Sequence, residues 1–220
     1  MRTPGDDEAL AVGLLFAEGV IRDAADVVAV ALTSADADGS AAITITLAPH
    51  VIVDAGALAR AGVATTACGL CGKLATDIGG VMPRGGSESR ALPAELIFQL
   101  PDRLRHAQAV FEKTGGLHAA AFVDQSGHLI DIAEDVGRHN AVDKLVGRAL
   151  RSGAGRPPAR DRTLLVSGRV AFEIVQKAAM AGVRTLIAVG APSSLAVRAA
   201  REAGITLIGF VKDGSFNVYG

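Results

Sequence analysis

Two cysteines, Cys68 and Cys71, are the only ones in the chain, and they share one four-residue window. Their segment reads Thr65-Thr66-Ala67-Cys68-Gly69-Leu70-Cys71-Gly72-Lys73. A thiol in a Cys-x-x-Cys pair ionises more readily than a lone one, because its neighbour and nearby donors stabilise the thiolate. The thiolate is both nucleophile and metal ligand, so this spacing predicts sulfur transfer, metal binding or a redox disulfide. Gly69 and Gly72 free the backbone, and Lys73 adds a positive charge. A structural zinc generally takes four ligands, often two such pairs. Here there is a single pair, and the histidines at 50, 106, 118, 128 and 139 lack the H-x3-5-H spacing that would complete a site. No metal ligand set is therefore assigned. A thioredoxin-like oxidoreductase would open a helix with the pair directly after a strand. The flanking glycines and threonines argue instead for a loop, where a reactive pair is more at home than an inert buried one.

The rest of the chain must position that loop. Its 220 residues allow one large domain or two small ones, half of the residues are hydrophobic, and aromatics are scarce at 4%. The core is thus built from Ala, Val, Leu and Ile. A net charge of −1 gives no bulk attraction to nucleic acid or membrane. No apolar run reaches the length of a membrane span, and no secretory signal opens the sequence. A reducing cytoplasmic setting with free thiols is the expectation.

Residues 1–64 read as a small α+β unit: a helix over Ala9 to Glu18 after Asp6-Asp7-Glu8, then a hairpin of Val27 to Leu32 and Ala42 to Leu47. Residues 65–93 read as a long mobile functional loop that holds the cysteines. Residues 94–220 read as a second unit. It has a helix opening at Asp102, a hairpin of His118 to Asp124 and Leu129 to Ile132, and a helix from about Arg138 to Leu150. Alternating strands and helices follow, with strands at Thr163 to Val166, Thr185 to Val189 and Thr206 to Val211. Such alternation predicts an α/β fold: a mixed, largely parallel sheet between helices in three layers. The Gly/Pro/Arg-rich stretch from Ser152 to Asp161 reads as a surface insertion.

Ligands bind at the carboxyl ends of such strands. There the sequence places Ser167-Gly168-Arg169, Gly190-Ala191-Pro192-Ser193-Ser194 and Lys212-Asp213-Gly214-Ser215. Backbone N–H groups with Arg and Lys suit phosphate. His118, His128 and His139 read as residues that satisfy local hydrogen bonds. His139, starting a helix beside Arg138, is the one best placed to touch a ligand.

The cysteine segment resembles the loop of the FdhD family of formate dehydrogenase accessory sulfurtransferases. The likeness continues through Arg2-Thr3-Pro4-Gly5-Asp6, Thr114 to Ala120, Glu134-Asp135-Val136-Gly137-Arg138-His139-Asn140-Ala141-Val142-Asp143-Lys144, Ser167-Gly168-Arg169, Ala178 to Gly182, Ala191 to Ala196 and Gly209 to Tyr219. The resemblance implies a sulfurtransferase that takes persulfide sulfur from a cysteine desulfurase. The sulfur then passes to the molybdenum bis(molybdopterin guanine dinucleotide) cofactor, a bound substrate required for formate dehydrogenase activity. It places the persulfide on Cys68, with Cys71 assisting, and the cofactor on Phe210, Val211, Lys212, Asp213, Gly214 and Ser215. It implies a cytoplasmic homodimer, a GDP-like ligand, and the desulfurase and formate dehydrogenase as partners, with neither nucleic acid nor membrane. Members usually carry an extension before the Arg-Thr-Pro-Gly segment, so the first sheet is expected to be short of a strand.

Beside this one stand a cofactor chaperone and, behind it, a zinc-binding or thiol-redox protein. A non-catalytic cofactor chaperone would need the pocket but not the cysteines. The order hairpin, helix, strand, helix also resembles the cytidine-deaminase fold, whose members need H-x-E and P-C-x-x-C. Here His139-Asn140-Ala141 has alanine in place of glutamate, and Ser167-Gly168-Arg169 has no cysteine. The scaffold is expected to be deaminase-like without its zinc.

Overall fold

The computed structural model describes residues 1–32, 42–53, 92–153, 157–212 and 214–220. Helix α1 (Asp7–Ala17) opens with Asp7 and Glu8, which suit the positive end of the helix dipole. Strands β1 (Val27–Leu32) and β2 (Ile43–Leu47) pair antiparallel, as the hairpin reading expected. Then come α2 (Ala94–Ala107) and α3 (Ala109–Thr114), and the antiparallel pair β3 (His118–Val123) and β4 (Leu129–Asp135). Helix α4 (Arg138–Arg151), β5 (Thr163–Val166), α5 (Phe172–Met180), β6 (Thr185–Ala188), α6 (Ser194–Ala203), β7 (Thr206–Lys212) and β8 (Ser215–Tyr219) complete the order.

Six strands form one sheet in the order β4-β3-β5-β6-β7-β8. Strands β5, β6 and β7 are parallel neighbours, while β3 and β8 run against them. The sheet is therefore mixed, and alternation along each strand sends side chains to two cores. On one face Ala120, Phe122, Leu164, Val166, Leu186 and Leu207 pack with α1, α4, α5 and α6. On the other, Ala121, Val123, Leu165, Ile187 and Ile208 pack beneath Ile97, Leu100 and Leu104 of α2. This is the three-layer α/β arrangement expected from the strand–helix alternation.

The N-terminal helix is tightly joined to that core. A Cβ on Gly13 would lie 1.9 Å from the Asp143 carbonyl oxygen, and one on Gly147 would lie 1.9 Å from that of Ala9. Helices α1 and α4 thus cross backbone to backbone, a distance only glycine permits.

Three expectations change. Helix α2 begins at Ala94, eight residues before Asp102, and carries Pro101 inside it. An interior proline costs about 3 kcal/mol. Burial of Ile97, Leu100 and Leu104, at about 1.5–3 kcal/mol each, outweighs that cost. Strand β8 follows the expected last strand, and Phe216 anchors it with its ring centroid 5.3 Å from that of Phe98. The stretch after Ser152 is not wholly superficial. Ala159 is fully buried and its N–H donates to the Ala181 carbonyl at 2.8 Å.

Candidate functional site at the strand ends

The carboxyl ends of β5, β6 and β7 meet at one edge of the sheet, joined by the first residues of β3 and α4. Ser167, just past β5, donates its N–H to the Ala119 carbonyl, and its Oγ accepts from the Ala119 N–H, both at 2.9 Å. The edge then continues strand by strand. Gly190 N–H donates to the Gly168 carbonyl and Phe210 N–H to the Gly190 carbonyl, each at 3.2 Å. Glycine is required at two of these positions by close approach. A Cβ on Gly190 would lie 2.8 Å from the Arg169 nitrogen, and one on Gly209 would lie 2.7 Å from the Pro192 ring.

Phe210 is the unusual residue of this edge. Its φ is +57°, a left-handed conformation that costs a bulky side chain roughly 1–2 kcal/mol. Its side chain is 44% exposed. Strained backbone persists where the surroundings over-determine it, commonly at binding sites. Here the Phe210–Gly190 hydrogen bond and the irregular β7–β8 register between Gly209 and Lys212 hold it. Lys212, Gly214 and Ser215 are exposed around the β7–β8 turn, where Lys212 pairs with Ser215. The side chain of Val211 is buried in the core, so only its backbone is available to a ligand. Cys68, Cys71 and Asp213 lie outside the described residues.

A second cluster gathers two strands away. A Cβ on Gly168 would lie 3.1 Å from Nδ1 of His118 and 3.8 Å from Cδ of Arg138. His118 starts β3, Arg138 starts α4, and Arg169 follows β5. Among the described residues neither Arg138 nor Arg169 forms an ion pair with a carboxylate. The Nε of Arg138 is buried without a hydrogen-bond acceptor. The Oε2 of Glu173, in the first turn of α5, is likewise buried without a donor, so these two atoms do not satisfy each other. Burial, reinforced by Arg138 and Arg169, lowers the His118 pKa from its ordinary value. Burial also lowers that of His139, to about 4, with Arg138, Lys177 and His118 adding to the effect. Both imidazoles are thus neutral near pH 7, beside two guanidinium groups that no carboxylate of the described residues pairs. This donor set fits a phosphate-bearing ligand.

Buried ion pairs fix the frame behind the cluster. Lys144 Nζ lies 2.8 Å from Asp135 Oδ2, and the two side chains are 2% and 0% exposed. Asp135 also accepts from the N–H groups of Thr3 and Gly137 at 2.9 Å and from Asn140 Nδ2 at 3.0 Å. Burial pushes the Asp135 carboxyl up, but Lys144 and these donors together hold it below its ordinary value. Lys144 further donates to the Thr3 carbonyl at 2.8 Å. Two segments far apart in sequence, Arg2 to Asp6 and Glu134 to Lys144, are thereby locked together at the start of α4. One turn on, Lys177 Nζ meets Asp143 Oδ1 at 2.6 Å, where burial raises the Asp143 pKa and Lys177 opposes it.

Sequence reasoning singled out Arg169 and His139 but not their convergence with His118 and Arg138. The signal was position: all four lie at an end of a predicted strand or helix on the candidate edge. His139 is the more buried and His118 the one that faces Gly168. His128 instead bonds Ser126 at the exposed β3–β4 turn.

The model of the FdhD/NarQ family matches residues 1–220. The chain belongs to the FdhD/NarQ family. Similar relatives include the sulfur carrier protein FdhD of Streptomyces avermitilis, 50% identical over all of this chain and 79% of the relative. The protein of the same name from Mycobacterium tuberculosis is 42% identical over all of this chain and 82% of its own. A solved structure described as a formate dehydrogenase accessory protein of Desulfotalea psychrophila shares the fold. Its TM-score is 0.72 at 23% identity, over all of this chain and 80% of that one.

Proposed function

We propose that this FdhD-family chain is a sulfur carrier that delivers persulfide sulfur to the molybdenum bis(molybdopterin guanine dinucleotide) cofactor destined for formate dehydrogenase. The observation that carries the reading is similarity over all of this chain to proteins named sulfur carrier protein FdhD, together with the single Cys68-x-x-Cys71 pair. In the loading step the Cys68 thiolate attacks the outer sulfur of a cysteine desulfurase persulfide. The S–S bond breaks, the desulfurase thiolate leaves, and Cys68 holds the terminal sulfur. Release as hydrosulfide needs two electrons. Attack of the Cys71 thiolate on Cys68 Sγ supplies them and leaves a Cys68–Cys71 disulfide, which a thiol reductant reopens.

The cofactor is cargo, bound by its nucleotide arms at the strand ends. Phe210 to Ser215 form one wall, with the exposed Phe210 ring against a guanine and Lys212 beside a phosphate. Two arms and one such edge per subunit favour a homodimer, since a two-fold axis places two identical pockets together. The cytoplasm, where thiols stay reduced, is the compartment this chemistry needs. Among the described residues no helix is long and apolar enough to cross a membrane.

A cofactor chaperone without sulfur chemistry is the second reading, favoured by the strand-end edge, whose binding residues need no cysteine. Complementation of a strain lacking its own FdhD separates the two. The carrier reading expects Cys68→Ala to abolish formate dehydrogenase activity while guanine nucleotide binding survives. Full activity in that variant would leave only the chaperone.

A further inference from the structure

We propose that His118, Arg138 and Arg169 form a diphosphate-binding corner, distinct from the Phe210–Ser215 wall, which orients a bound nucleotide across the ends of β5, β6 and β7. The inference rests on the nucleotide-binding reading above and adds residues and a direction to it. Three elements converge on Gly168, whose missing Cβ leaves room between the His118 ring and the Arg138 stem. Both guanidinium groups lack a carboxylate partner among the described residues, and the buried Nε of Arg138 has no acceptor. A buried donor without a partner is costly, and a planar guanidinium fork matches phosphate oxygens two at a time.

The spacing sets the orientation. Gly168, Gly190 and Phe210 are linked by successive backbone hydrogen bonds, so Phe210 stands two strands from Gly168. At roughly 4.8 Å per strand that is about 10 Å. A nucleoside diphosphate covers such a span from base to terminal phosphate. Its base then lies toward Phe210 and its diphosphate in the corner. The groups that act on His118 are Arg138 and Arg169, with His139 behind them, while Lys177 is engaged by Asp143. Burial is the larger cause of the lowered His118 pKa, and an anion between the guanidiniums would cancel the part that Arg138 and Arg169 add.

The test uses the full chain with GDP, guanosine and inorganic pyrophosphate as probes. Calorimetry measures binding, and NMR follows the titration of the His118 ring, assigned through His118→Asn. Pyrophosphate should compete with GDP and move the His118 titration to higher pH. Arg169→Ala, at an exposed position, should weaken GDP and pyrophosphate roughly ten- to a hundredfold, with a far smaller effect on guanosine. Arg138→Lys, which keeps the charge but loses the fork, should weaken both as well. GDP and pyrophosphate binding unchanged in these two variants, or a His118 titration that pyrophosphate leaves in place, would overturn the corner. Guanosine binding without pyrophosphate binding would also reject it while keeping the Phe210 wall. Sulfur loading of Cys68 does not pass through these residues, so the carrier reading stands or falls separately.

Discussion

Replacing Lys144 with Met tests how the frame behind the candidate site is held. The ammonium lies 2.8 Å from a carboxylate with no solvent exposure. Met fills similar volume but leaves Asp135 with only Thr3, Gly137 and Asn140 as donors, and it frees the Thr3 carbonyl. Breaking a buried pair by removing one partner typically costs about 3–5 kcal/mol, because the other charge stays behind uncompensated. Against a total stability of roughly 5–15 kcal/mol, that is a large fraction. Urea unfolding followed by far-ultraviolet circular dichroism suits a chain without tryptophan. Lys144→Met should lower the midpoint strongly. The double variant with Asp135→Asn should recover part of the loss, since the stranded charge is gone. Amide exchange should quicken at Thr3 and Val136, whose bonds tie the N-terminal segment to the residues leading into α4. A loss below about 1 kcal/mol, or a double variant no better than the single, would show that Asp135 does not depend on Lys144.

Gly13→Ala should destabilise by about 1–3 kcal/mol or more through overpacking, because the new methyl meets the backbone of Asp143 rather than a movable side chain; thermal unfolding reads this directly. His139 carries a pH signature. Its folded pKa, about 4 against an ordinary 6.5, means the unfolded chain binds the extra proton. The stability it contributes is complete above pH 6.5 and lost as pH falls toward 4. At 1.36 kcal/mol per pKa unit this amounts to about 3 kcal/mol, measured as the slope that His139→Asn removes relative to wild type. Phe210→Gly should change stability by less than about 1 kcal/mol, as relief of the left-handed strain offsets the entropy of glycine. Guanosine affinity should fall about fivefold or more in the same variant, read by calorimetry, since a stacked base is worth about 1–3 kcal/mol.

Much of the fold is legible in the chain itself. The apolar runs at Thr163 and Thr185 are buried throughout, as is Leu207 to Gly209 of the third, and they read as continuous strands, so the parallel centre of the sheet follows from them. The start of α2 does not, because Pro101 breaks the helical pattern locally while packing under the sheet restores it. Strand β8 is equally hidden. Ser215-Phe216-Asn217-Val218-Tyr219 lacks a continuous apolar run, and its pairing with β7 decides its state. The candidate site divides in the same way. The glycines of the strand ends and the Phe210 stretch are local signals. The cationic corner is not, since its members stand at 118, 138 and 169 and only the sheet brings them together. The Asp135–Lys144 pair joins the end of β4 to the second turn of α4, and its anchoring of Thr3 across 132 residues is purely tertiary.

The central claim is that sulfur travels on Cys68. The direct measurement is tandem mass spectrometry of the intact chain after incubation with a cysteine desulfurase and cysteine. Alkylation before digestion preserves the sulfane sulfur. The account predicts one added sulfur on Cys68, its disappearance in Cys68→Ala, and its retention without release in Cys71→Ala. Equal loading in the absence of Cys68, or no sulfane sulfur on either cysteine, would contradict it.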